Sequence, residues 1–94
     1  MELKYVVLTD GLREYPIIFP KTMVHQVVAE YLTCMLTVRH HADSKDVRAV
    51  GAGFINISSL FCYGQSVSLD VDSRGEVDTV AIRTNAYTTG IPSS

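Results

Sequence analysis

Ser73, Arg74 and Gly75 offer the most direct chemistry in this chain. Ser73 and Glu76 stand as S-x-x-E, a capping box that opens a helix, and a helix start presents free backbone N–H groups and a partial positive charge. With the Arg74 guanidinium beside it, such a start can hold a phosphate or carboxylate. Asp70, Asp72, Glu76 and Asp78 make the neighbourhood anionic, so a phosphate there needs a second cation from Arg48, Arg39 or Arg13. The plainer reading is a helix cap in which Arg74 pairs with Asp70, Asp72 or Asp78.

Other constellations are weaker. The run Asp70-x-Asp72-x-Arg74-Gly75 opens like a calcium loop, but Arg74 stands where an oxygen ligand is needed and Ala81 where a bidentate Glu is needed. His40 and His41 adjoin Asp43, with Cys34 upstream and His25 earlier still, yet no H-x-x-x-H or C-x-x-C frame exists. No metal or cofactor is read from these residues. A small hydrolase would pair Cys34 or a serine with His40 or His41, but no G-x-S-x-G elbow or glycine-flanked cysteine marks a nucleophile. The expectation is a protein that binds rather than turns over.

Ninety-four residues make one domain, here residues 1–88 with a flexible tail at 89–94. At 47% hydrophobic and 19% charged the chain should fold, with an apolar surplus that suggests a homo-oligomer, at least a dimer. A net charge of -2 excludes nonspecific binding to a nucleic-acid duplex. No signal sequence and no membrane-length apolar run is seen, so a cytoplasmic protein with Cys34 and Cys62 reduced is expected.

The elements that must position these residues follow from periodicity. Residues 2–9 and 12–19 read as strands around the turn Asp10-Gly11. Pro16 puts the second strand at the sheet edge. From Thr22, the expected N-cap, Val24, Val27, Val28, Tyr31, Leu32 and Met35 fall on one helical stripe, with Tyr31 facing the core. Residues 39–46 form a polar loop, 47–57 and 60–71 two further strands, and a second helix begins at Ser73. Val67, Leu69 and Val71 alternate with polar residues, as in a half-buried strand. The order ββαββα predicts an α+β fold: a four-stranded antiparallel sheet with both helices on one face. Phe54, Phe61 and Tyr63 are then left for the open face.

Residues 51–78, with GAGFINI followed by CYGQSVSLDVDSRGEVD, resemble the small accessory proteins of bacteriophages and prophages. The resemblance implies a protein of the host bacterial cytosol that counters host defence by binding. Such proteins include inhibitors of defence enzymes and oligomeric sponges for nucleotide signals. In its sharpest form the expectation is a nucleotide sponge in which Ser73, Arg74 and Gly75 take the phosphate. Arg48, Phe54 or Tyr63 would complete the pocket at a subunit boundary. The alternative is a module that docks on a host enzyme or a virion component.

Overall fold

The computed structural model describes residues 2–39, 46–84 and 87–88. In chain order these form β1 (Glu2–Thr9), β2 (Glu14–Phe19), α1 (His25–Arg39), β3 (Arg48–Asn56) and β4 (Phe61–Tyr63). There follow β5 (Gln65–Ser66), β6 (Val71–Asp72), α2 (Glu76–Thr84) and β7 (Tyr87–Thr88). The fold is α+β, as expected, with a four-stranded antiparallel sheet ordered β4-β3-β1-β2. β7 adds a two-residue parallel strand beyond β2, and β5 and β6 form a separate small hairpin.

The β1–β2 connection is tight because its side chains close it. Asp10 Oδ1 accepts the N–H groups of Leu12 and Arg13, each at 2.9 Å, and Thr9 Oγ1 accepts that of Gly11 at 3.0 Å. Gly11 takes φ +96°, which the turn requires and glycine tolerates.

β1 lies at the centre and is buried on both sides, from Tyr5 through Thr9. Val6 and Leu8 pack with Val28, Ala29, Leu32 and Leu36 of α1. Tyr5 and Val7 pack with Ile55, Cys62 and Ile82 of α2. Successive strand side chains point to opposite faces, so the two helices cover opposite faces of the sheet, not one. This corrects the expected packing, and the open face assigned to the aromatics is occupied by α2. Phe61 and Tyr63 lie on the exposed edge strand β4 instead.

Three local expectations also change. β2 is not an edge among the described residues: β7 pairs with Ile17 and Ile18, stopping short of Pro16, which is fully buried. The fourth strand breaks into β4, β5 and β6. Gly64 takes φ +82° and Asp70 φ +55°, both left-handed, and Val67–Asp70 is the turn of the β5–β6 hairpin. Finally, α1 starts at His25 without a Thr22 cap, and its apolar stripe divides. Val28 and Leu32 are buried, whereas Val24, Val27 and Tyr31 are about half exposed. The apolar arc is wider than the strip that the sheet can cover. Residues 40–45 and 89–94, which include His40, His41, Asp43 and the expected tail, lie outside the described residues.

Candidate functional site

The junction ahead of α2 is built around a carboxylate. Asp78 has no solvent exposure, and its Oδ2 accepts the Tyr5 hydroxyl at 2.5 Å and the Arg74 backbone N–H at 2.9 Å. Its Oδ1 accepts Arg74 Nε at 2.6 Å. Arg74 then reaches Glu14 with Nη1 and Nη2, at 2.9 and 2.7 Å, in a bidentate fork. Tyr5 Oη also lies 2.6 Å from Ser73 Oγ, and Ser73 Oγ accepts the Gly75 N–H at 3.0 Å. The network ties α2 to the centre of the sheet and to β2, 60 residues away in sequence.

The local backbone departs from the expected Ser73–Glu76 box: Asp78 accepts the Arg74 N–H ahead of the helix, and Ser73 Oγ accepts the Gly75 N–H. The Ser73 N–H goes to the Gly64 carbonyl at 2.9 Å, so Glu76 has no N-cap amide to receive. Gly75 takes φ +61° and starts the helical hydrogen bonds by accepting from the Thr79 N–H. Gly51 of β3 lies directly beneath the Asp78 carboxylate, where a Cβ would collide with both oxygens. Room for this buried acid therefore depends on a missing side chain in β3.

Electrostatics follow the same geometry. Hydrogen bonds from Arg74 hold the Glu14 carboxyl below its ordinary value, and Glu14 together with Asp78 holds the Arg74 guanidinium above its own. Burial, reinforced by Asp78, pushes the Tyr5 phenol well up. The site is a paired structural cluster with one guanidinium between two carboxylates.

The six residues singled out in the sequence do not form one pocket within the chain. Ser73, Arg74 and Gly75 belong to the Asp78 network. Arg48 is exposed at the start of β3, paired with Thr9 in a register that also places Thr9 opposite Glu14. Phe54 and Tyr63 lie towards the other end of β3, paired across β3 and β4 with rings stacked at 6.1 Å. Six residues along a strand span about 20 Å. No family model matches the chain, and no curated protein or solved structure matches it either.

Phe54 does line a pocket, one that its sequence neighbours do not announce. A cavity of about 530 Å³ is bounded by Lys4, Val24, His25, Phe54, Gln65, Val67 and Ser68. The turn after β5 closes it on one side and the start of α1 on the other. Lys4 Nζ donates to the Met23 carbonyl at 3.0 Å, which holds the ammonium beside that helix start. His25 forms a wall of the pocket: its Nε2 is 2.9 Å from the Gly53 carbonyl, and its ring meets Phe19 and Phe54 edge-on. Burial lowers its pKa below the usual imidazole value. The α1 start has no acidic residue in its first turn, and Val24 supplies no capping oxygen.

Proposed function

We propose that this chain is a non-enzymatic binding protein, working as a homo-oligomer, that takes a small planar anion of nucleotide type in the pocket beside Phe54. The observation that carries the reading is that one cavity of about 530 Å³ combines an aromatic ring, the Lys4 ammonium and the neutral donors of Gln65 and Ser68. That volume falls within the range of small-molecule sites. A base can stack on an aromatic face, and a single phosphate suits a single ammonium beside a helix start. On this reading the ligand sits at the Phe54 end of β3. A phosphate on Arg74 would first have to displace Glu14 from both Nη atoms. A role against host defence, within a bacterial cytosol, joins the proposal on the strength of the resemblance over residues 51–78.

Calorimetric titration with cyclic and linear mononucleotides tests the reading. Phe54→Ala and Lys4→Met should each weaken binding about tenfold, the scale of one lost stacking or charge-assisted contact. Absence of binding by the wild-type chain, or binding indifferent to both substitutions, sinks it.

A protein-interaction module is the second reading, and the solvent side of α2 favours it. Val77 and Val80 stand one turn apart, each more than half exposed. A partner captured by the wild-type chain and lost with Val80→Glu would support this reading.

A further inference from the structure

The solvent side of α1 carries a second apolar seam, separate from its core face. Val24, Val27, Tyr31, Cys34 and Val38 follow one another at intervals of three, four, three and four residues, the a/d repeat by which helices pair. All five are exposed, Tyr31 at 54% and Val38 at 72%. The sheet takes other residues of the same helix: His25, Val28, Ala29, Leu32 and Leu36. The seam is therefore the part of the apolar arc that the sheet leaves uncovered.

A depression of about 230 Å³ lies on this seam, lined by Tyr31, Cys34, Met35 and Val38. Those positions are i, i+3, i+4 and i+7, the four-residue hole that receives one side chain from a facing helix. Such a hole calls for a helix with the same spacing of apolar side chains. This chain's own α1 has that spacing. Between Val24 and Val38 stand one acid, Glu30, and one histidine, His25, which is buried, so the flanks carry no charge pattern that would select a different helix. A two-fold axis across α1 sets each copy's knobs over the other copy's hole.

We infer that a second copy of this chain packs on the α1 seam to form a two-fold symmetric dimer. The inference supplies an interface for the oligomer proposed above and does not rest on the nucleotide. One helix face is smaller than the ~800 Å² per partner of a standard interface, so the dimer is of the weak, micromolar class.

Sedimentation velocity of the full chain, from low to several hundred micromolar, tests it. The wild-type protein should move from the chain mass to twice that mass. Tyr31→Glu and Val27→Glu should each raise the dissociation constant at least tenfold. Both residues are exposed in the single chain, and matching circular dichroism and unfolding midpoints, extrapolated to low concentration, confirm that the variants fold. Alkylation of Cys34 supplies an independent readout: its rate should fall severalfold as wild-type concentration rises and stay constant in Tyr31→Glu. A wild-type chain that is monomeric throughout overturns the inference. So does a dimer that survives both substitutions, because its interface then lies elsewhere. Nucleotide titration of the same samples keeps a failed ligand reading distinct from a failed interface.

Discussion

At the scale of single residues, Glu14 shows how a modest surface acid becomes part of the fold. Its two oxygens receive the whole Nη fork of Arg74, and that pairing lowers its pKa below the ordinary 4.5. A carboxyl depressed in this way contributes its full stabilisation above the unfolded value and loses it as pH falls through the folded one. Wild-type stability should therefore fall below about pH 4.5, more steeply than that of Glu14→Gln, as read from urea midpoints across pH. Glu14 is more than one-third exposed, so solvent screening keeps the difference below about 1 kcal/mol. A wild-type curve parallel to that of the variant would show that the fork does not persist in solution. The pairing of Arg74 with a nearby acid was one of the readings open from sequence. Glu14 was not, because nothing local links a strand residue to a guanidinium 60 positions away.

At the scale of elements, α2 is held by one buried acid as much as by apolar packing. Ile82 is its buried apolar anchor, while Asp78 joins Tyr5, Arg74 and, through Arg74, Glu14. Asp78→Ala leaves a buried phenol and a half-buried guanidinium short of acceptors and should cost about 3 kcal/mol, measured by chemical denaturation. A loss near zero would mean that α2 docks through its apolar side chains alone. β1 and β3 were legible almost residue for residue, from their apolar content and the turn residues beside them. The break in the fourth strand was not. Val67, Leu69 and Val71 alternate as a strand should, but Gly64 and Asp70 adopt left-handed backbone, which alternation does not report. The S-x-x-E box was misleading for a related reason: Ser73 spends its amide on Gly64, a contact made only once the hairpin folds.

At the scale of the whole molecule, one strand is shared by two cores. The α1 side and the α2 side lie on opposite faces of the sheet, and β1 contributes Val6 and Leu8 to one and Tyr5 and Val7 to the other. Leu32→Ala and Ile82→Ala, on opposite faces, should each cost about 2–5 kcal/mol and leave one cooperative thermal transition. Two separate transitions would show that the faces unfold independently. A signal for this architecture was present in β1, whose residues 5–8 are apolar without alternation, as strands covered on both faces are. The order ββαββα alone does not distinguish one covered face from two. The pocket beside Phe54 was equally hidden, since the hairpin and the α1 start that frame it approach only in the folded chain.

The bend at Gly64 also bears on aggregation. Because the chain turns away there, the edge strand β4 runs for only three residues before its backbone enters the β5–β6 hairpin. A long flat edge is the usual template on which stray chains add and grow into fibrils, and so short a rim offers few ladder bonds to an incoming strand. The same bend that carries the chain into the hairpin beside Phe54 thus limits uncontrolled polymerisation through β4, in a protein whose apolar surface would otherwise invite it.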